Sequence, residues 1–217
     1  MRFRILHYDT LDSTNHLARS FAEEGAGEGT VITAEYQTRG RGRFKKRWVS
    51  PRGSGLLFSI ILRPKLKTSS ASILTHVAAK SVAEALQECF KISPKLKKPN
   101  DVLVHGKKIA GILTESSGAG QKLEYVIVGI GLNVNTQASK LPRGATSVAC
   151  EIGKRTEKDE VLEKILSIFE KKYAEINSSG TNSPIPFDSD QETTVSFEMT
   201  SHPVRPQRIK PKEYDEK

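Results

Sequence analysis

The stretch from Val102 to Thr114 constrains the fold most, because it predicts two antiparallel strands joined by a tight turn. Val102–Val104 and Lys107–Thr114 flank His105–Gly106, and glycine at the second position of a two-residue turn favours type I′. A hairpin of this kind pairs its strands antiparallel, so a doubly wound parallel sheet is not expected.

Hydrophobic periodicity predicts the other elements. Further strands are expected at Phe3–Tyr8, Val31–Glu35, Leu56–Leu62 and Leu123–Val134, and the continuously apolar Leu56–Leu62 is expected to be covered on both faces. Helices are expected after an N-cap at Ser13 or Thr14, over Ser72–Phe90, and from an N-cap at Thr156 onward. This order predicts the α+β class, with a mixed, largely antiparallel sheet packed against helices.

Composition divides the chain near Asn177. Residues 1–177 carry the periodic segments and are predicted to form one domain. Ser178–Lys217 is rich in Ser, Thr, Pro and charge, which predicts a mostly irregular tail with one strand at Thr193–Met199.

Bulk properties limit the compartment and the partners. The two cysteines, Cys89 and Cys150, do not form a disulfide framework and are predicted to be buried small hydrophobes. The chain contains neither a signal-peptide pattern nor an apolar run of about 20 residues, so we expect a cytoplasmic protein without membrane contact. The net charge of +9 indicates an anionic partner.

A basic segment between Arg39 and Arg52 is the most prominent candidate site. It contains seven basic side chains and no acidic one, so we expect an anionic ligand to order it. Gly40 and Gly42 let the main chain approach a phosphate, and arginine supplies bidentate donors. From charge alone, a solvated loop or nonspecific nucleic-acid binding remains an open alternative.

Three further candidates have two interpretations each. Lys108 lies in an apolar strand, where it is either an inward-facing cation or an edge lysine that guards against aggregation. Asn100–Asp101 after Pro99 either forms a turn, which these residue types favour, or orients a ligand. Trp48 either packs beneath the basic segment or stacks on a purine.

The glycines of Gly129–Asn135 do not form a dinucleotide signature, because the third glycine and the following helix are missing. Glycines inside a strand instead indicate that a ligand or another backbone approaches closely. The histidines have no metal-ligand spacing, and the chain has neither a P-loop nor a serine-nucleophile elbow.

The order and spacing of these pieces resemble the catalytic domain of biotin–protein ligases, from about Leu11 to Asn135. The resemblance is carried by Asp12–Asn15, Glu35–Gln37, Gly40–Arg43 with Trp48, Lys97–Asp101, Lys108–Leu113 and Gly129–Asn133. It implies a fold like that of class II synthetases. It also implies that biotin and ATP with Mg²⁺ form biotinyl-5′-AMP, from which biotin passes to a lysine of a biotin carboxyl carrier domain.

The resemblance also implies roles for individual residues. Biotin would contact Ser13, Thr14, Asn15, Gln37, Arg41, Gly42, Arg43 and Lys108. ATP or the adenylate would contact Gly40, Arg41, Arg43, Trp48, Asn100 and Asn133. The catalytic residues would be Lys108, Arg43 and Asp101, and no side chain is assigned as a metal ligand. We expect no specific nucleic-acid partner. We expect the protein to form a homodimer.

The sequence departs from the family pattern at several points. Lys45 and Lys46 stand where the family has its second loop glycine and the arginine after it, and Lys98 replaces a tryptophan. Ser178–Lys217 does not resemble the family's small C-terminal domain, and no winged helix precedes Leu11, so a repressor function is not expected. A lipoate ligase of the same fold is an alternative, although its Arg-Arg-x-Ser/Thr-Gly-Gly-Gly loop is absent.

Overall fold

The computed structural model describes residues 1–179, with side chains through Asn177. Its centre is a seven-stranded sheet in the order β1-β2-β3-β7-β6-β5-β4. The strands are β1 Arg4–Leu11, β2 Thr30–Gln37, β3 Gly55–Leu62, β4 Lys95–Lys97, β5 Asp101–Val104, β6 Lys107–Ala119 and β7 Lys122–Asn133. Among the strands of residues 1–179, β1 and β2 alone pair in parallel, so the predicted mixed, largely antiparallel sheet is confirmed.

Four α-helices accompany the sheet in the described residues: α1 Thr14–Glu23, α2 Ser72–Phe90, α3 Val148–Ile152 and α4 Lys158–Ser179. The predicted bounds of α2 are confirmed. The predicted N-cap at Thr156 is wrong by one residue, because α4 begins at Lys158 and Thr156 exchanges main-chain hydrogen bonds with the Asn135 side chain. Ser13 occupies the N-cap position of α1, but its side chain makes no capping hydrogen bond.

The predicted hairpin is present as β5 and β6. His105 has φ 48° and Gly106 has φ 75°, so both turn residues are left-handed, as a type I′ turn requires. The pairing of β5 with β6 is interrupted by a β-bulge, because Val102 lies opposite Ala110 while Leu103 lies opposite Lys108. Ile109 is the extra residue.

The sheet has a packed layer on each face. On one face, alternate residues of β3 and β7 pack with α2 and α4 around Phe58, Leu86 and Phe169. On the other face, Ile61 and Ile127 pack with α1. Every residue of β3 is buried, which confirms the prediction that Leu56–Leu62 is covered on both faces.

The remaining predictions have mixed outcomes. Cys89 and Cys150 are exposed, so the prediction that they are buried is wrong. No helix within residues 1–179 is long and apolar enough to cross a membrane. Because α4 runs to Ser179, the predicted boundary at Asn177 falls in its last turn. The rest of the tail, with the strand predicted at Thr193–Met199, lies outside the described residues.

Candidate active site

A cavity of about 270 Å³ opens on the sheet face that carries α1. The start of α1, the basic segment and the β5–β6 hairpin border it. Eleven of the thirteen residues predicted for the site line it: Ser13, Thr14, Asn15, Gln37, Arg41, Gly42, Arg43, Trp48, Asn100, Asp101 and Lys108. Segments that lie about 100 residues apart in the sequence therefore meet at one place.

The floor of the cavity is a strip of three glycines in the two central strands. Gly111 of β6 pairs with Gly131 of β7, and Gly129 follows along β7. A Cβ atom at Gly131 would lie 2.4 Å from the Trp48 ring, and one at Gly129 would lie 1.8 Å from Asn15 Oδ1. These strand glycines thus allow two side chains to lie directly on the sheet.

The β-bulge directs Lys108 into the cavity. Ile112 and Ala110 face the core beneath α2, and strict alternation would turn Lys108 toward the same core. Because Ile109 is the extra residue and is also buried in that core, Lys108 turns to the cavity side instead. Its neighbour Lys107 is exposed.

The position of Lys108 is fixed by its main chain and by its ammonium group. Its N–H donates to Gly144 O at 2.8 Å, and its carbonyl accepts from Thr146 N–H at 2.9 Å. The ammonium lies 2.6 Å from Asp101 Oδ1 and 5.5 Å from the centre of the Trp48 ring. Lys108 is therefore a half-buried cation with one carboxylate partner, not a free edge lysine.

Asn100 has the turn role that its residue type favours. Its side-chain amide donates to Ile112 O at 2.7 Å, and its main-chain carbonyl accepts from Ile112 N–H at 2.9 Å. These bonds hold the start of β5 against β6. Asp101 is thereby placed beside Lys108.

Uncharged polar groups line the other end of the cavity. Gln37 Oε1 accepts from the Thr14 N–H at 2.7 Å. The Ser59 hydroxyl lies 2.8 Å from Thr14 Oγ1 and 2.7 Å from Asn15 Oδ1. Sequence reasoning missed Ser59, whose only signal is that it is the single polar side chain in the apolar strand Leu56–Leu62.

Glu115 of β6 was also missed, and it is the main counter-charge of this region. Its carboxylate accepts from Arg41 at 2.8 Å, from Arg19 at 3.1 Å and from Asn15 Nδ2 at 2.9 Å. Its side chain is only 15% exposed. An acidic residue within a strand is the only sequence signal that would have indicated it.

Acidic residues from outside the basic segment also pair with two of its other arginines. Arg39 lies 3.4 Å from Asp12, and Arg52 lies 2.7 Å from Asp9. The Asp9 pKa is lowered by its hydrogen bond with Arg52. The expectation that an anionic ligand orders this segment did not include these acids. Asp9 comes from β1, Asp12 follows the end of β1, and Glu115 comes from β6.

Main-chain bonds fold the basic segment back on itself beside the cavity. Trp48 N–H donates to Gly40 O at 3.0 Å, and Gly42 N–H donates to Lys46 O at 2.8 Å. The indole lies over Gly111 and Gly131, so Trp48 packs beneath the segment and also borders the cavity. Its Nε1 is buried and has no hydrogen-bond partner among the described residues.

Two predicted residues do not line the cavity. Gly40 lies at the neck of the basic segment, where a Cβ would come within 2.3 Å of Trp48 O. Asn133 is buried, and its amide donates to Thr146 O at 3.0 Å. Asn133 thus holds the segment that pairs with Lys108, and its direct contact with an adenylate stays a prediction.

Comparison with known proteins gives consistent matches. Residues 8–133 match the model of the Biotin/lipoate A/B protein ligase family. The bifunctional ligase/repressor BirA of Bacillus subtilis is 38% identical over 180 residues, which cover 81% of this chain and 55% of that protein. The biotin–[acetyl-CoA-carboxylase] ligase of Paracoccus denitrificans is 37% identical, with 78% of this chain and 72% of that protein covered.

A solved structure agrees with these sequence matches. Biotin protein ligase from Aquifex aeolicus, in complex with biotin and ATP, superposes with a TM-score of 0.69 at 33% identity. The match covers 81% of this chain and 72% of that one. The chain spans about half the length of the Bacillus relative.

Proposed function

Because the chain belongs to the biotin/lipoate A/B protein ligase family, we propose that it makes biotinyl-5′-AMP from biotin and ATP. It then transfers the biotinyl group to a lysine of a biotin carboxyl carrier domain. The observation that carries this proposal is the meeting of Lys108 with Arg41 and Arg43 around one cavity that has an uncharged polar end. We assign residues 1–177 to this catalytic domain.

The first step joins two anions. A biotin carboxylate oxygen attacks the α-phosphorus of ATP, a new O–P bond forms, and pyrophosphate leaves with the electrons of the broken P–O bond. Cations placed beforehand stabilise the charge that develops on the phosphoryl oxygens. Lys108 on a strand and Arg43 on the basic segment both line the cavity in which this centre would lie.

The uncharged end of the cavity suits the ureido ring of biotin. Thr14, Asn15 and Gln37 present hydroxyl and amide groups there without a net charge. On the glycine floor, Asn15 lies over Gly129 at this end, and Trp48 and Lys108 lie over Gly111 at the other. The distance between the two ends is then a property of β6 and β7, which are rigid elements.

The second step consumes the mixed anhydride. A carrier lysine amine attacks the acyl carbon, the amide bond forms, and AMP leaves as the acyl C–O bond breaks. Asp101 is the carboxylate that can orient this amine or accept its proton, because it is the only acidic side chain of residues 1–179 that lines the cavity. The basic segment at the side of the cavity, with Trp48 on the floor, would limit access of water to the anhydride.

Magnesium does not fit a site built by the protein here. The single lining carboxylate is already paired with Lys108, and residues 1–179 contain no group of three potential metal ligands. Mg²⁺ would therefore arrive with the nucleotide, as the MgATP substrate.

Adenylate formation tests the proposal. With biotin and MgATP, the purified chain should release pyrophosphate and accumulate biotinyl-5′-AMP, and Lys108→Ala should lower this rate by at least about 100-fold. Lys107→Ala is the matched control, because it removes the neighbouring lysine on the exposed side and should retain the wild-type rate. Equal rates in the two variants would remove Lys108 from its role, and turnover of lipoate but not biotin would favour the lipoate-ligase alternative.

The acceptor and the assembly are separate proposals. A carrier domain of acetyl-CoA carboxylase is the acceptor we propose, from the names of the relatives. A homodimer and a cytoplasmic location stay predictions. Sedimentation of the purified chain with and without biotin measures the first of these two.

A further inference from the structure

We infer that Glu115 is a positioning residue that fixes which hydrogen-bonding group Asn15 presents to the ligand. The inference rests on the proposed function, because it concerns the uncharged end of the same cavity. Glu115 does not line the cavity and does not touch the ligand space itself. It acts through Asn15, which lines the cavity and can contact a ligand there.

The orientation of the Asn15 amide follows from its neighbours. Nδ2 lies 2.9 Å from Glu115 Oε2 and 3.2 Å from Leu113 O, and both of these oxygens can only accept a hydrogen bond. The two hydrogens of Nδ2 are therefore used inside the protein. The only polar group that Asn15 has left for another partner is its carbonyl oxygen.

Ser59 also requires Asn15 Oδ1 to be a hydrogen-bond acceptor. Asn15 Oδ1 carries no hydrogen, so across their 2.7 Å contact the Ser59 hydroxyl must be the donor. The remaining lone pair of Oδ1 is an acceptor for a ligand. The ureido ring of biotin carries two N–H donors, which an acceptor suits.

Glu115 is held for this role by two cations. Arg19 and Arg41 both contact its carboxylate and fix its orientation, and its side chain is only 15% exposed. A glutamine of the same shape would behave differently. The arginines can only donate and would attract its one oxygen, so its NH₂ group would turn toward Asn15 Nδ2, another donor.

Glu115→Gln should therefore remove the preset acceptor. Asn15 would either lose its partner or rotate and place Oδ1 against the Leu113 carbonyl. We expect the dissociation constant for biotin to rise by up to about tenfold, the effect of losing one neutral hydrogen bond between Asn15 and the ligand.

A double-mutant cycle separates this route from the contact with Arg41. Calorimetric titration with biotin compares the wild type, Glu115→Gln, Asn15→Ala and the double variant. If Glu115 acts through Asn15, its substitution has no further effect once Asn15 is alanine. If the two effects add, Glu115 acts through Arg41 or through the fold, and the inference is overturned, as it is by an unchanged affinity in Glu115→Gln.

Control variants protect the interpretation. Glu124→Gln makes the same chemical change at an exposed position on the adjacent strand and should leave biotin affinity unchanged. Glu115→Asp keeps the charge but retracts the carboxylate from Asn15, so it tests the same link if Glu115→Gln does not fold. It should also weaken biotin binding, and wild-type affinity in it would overturn the inference.

A measurement without ligand separates this inference from the proposed function. The side-chain NH₂ signals of Asn15, assigned by their loss in Asn15→Asp, should exchange slowly with solvent in the wild type and faster in Glu115→Gln. If the wild type does not bind biotin, the proposed function fails, and these signals alone decide the role of Glu115. Equal exchange in the two proteins would overturn that role.

Discussion

A methyl group added at Gly129 tests how firmly the glycine floor holds the site. The Cβ of Gly129→Ala would lie 1.8 Å from Asn15 Oδ1 and 2.7 Å from its Cγ. To reach ordinary van der Waals separation, the oxygen would have to move by roughly 1.5 Å. Asn15 is only 4% exposed at the start of α1, so this movement must break contacts that hold its side chain.

The cost follows from the bonds that Asn15 makes. The displacement disrupts its contacts with Ser59, Leu113 O and Glu115, of which the last is charged. At about 1 kcal/mol for a neutral hydrogen bond and about 2 kcal/mol for a charged one, we expect the free energy of unfolding to fall by about 2–4 kcal/mol. A domain with a typical stability of about 5–15 kcal/mol would still fold.

Urea unfolding measures this loss. With a slope near 2 kcal/mol per molar, the midpoint should fall by about 1–2 M, and biotin affinity should fall at least tenfold. Gly27→Ala is the matched control, because its Cβ would meet nothing within 4 Å and the residue does not have positive φ. A midpoint for Gly129→Ala within about 0.3 M of the wild type would refute the account of Asn15 as a firmly held residue.

Two further predictions use the same unfolding and binding assays. Gly131→Ala places Cβ 2.4 Å from the ring of Trp48, so the indole should leave the floor of the cavity. Because Trp48 is the only tryptophan, the fluorescence maximum of the protein should then move to longer wavelength. An unchanged maximum would contradict this packing. Burial, and then the nearby Lys80, lowers the pKa of His76 in the folded state, so the unfolded state binds the proton first as pH falls. Stability should therefore decline as pH falls below about 6.5, and His76→Gln should decline less between pH 6.5 and 5; parallel urea midpoints would show that His76 does not cause the decline.

The sequence predicts the parts of this fold that depend on neighbours in the chain. Ser72–Phe90 has an apolar stripe through five turns, and the glycine of His105–Gly106 favours the turn that these two residues form. Both elements therefore appear as predicted. The short elements β4 and α3 have three and five residues, which is too few for a period to be recognised. Their structure comes from pairing with β5 and from the Ser147 cap.

The residues of the site also fall into two groups: those that a local sequence pattern indicates and those that only tertiary contacts reveal. Motif spacing identifies Lys108 as a residue of interest, but its direction depends on the bulge at Ile109, which appears only when β5 and β6 are paired. Glu115 and Ser59 have ordinary strand positions in the sequence. Their importance arises from contacts with Asn15, which lies 100 and 44 residues away in the chain. No local pattern contains that information.

The replaced loop glycine shows how the structure accommodates a departure from the family pattern. Lys45 has φ 58° and follows Phe44 at φ 53°, so the main chain keeps a left-handed course where glycine would be unstrained. A side chain in this region costs about 1–2 kcal/mol, which the Trp48–Gly40 and Gly42–Lys46 main-chain bonds and the packing of Trp48 on the floor can offset. Arg41, Arg43 and Lys46 still line the cavity. The substitution therefore changes the conformational energy of the loop, while the cations that the proposed chemistry needs remain in place.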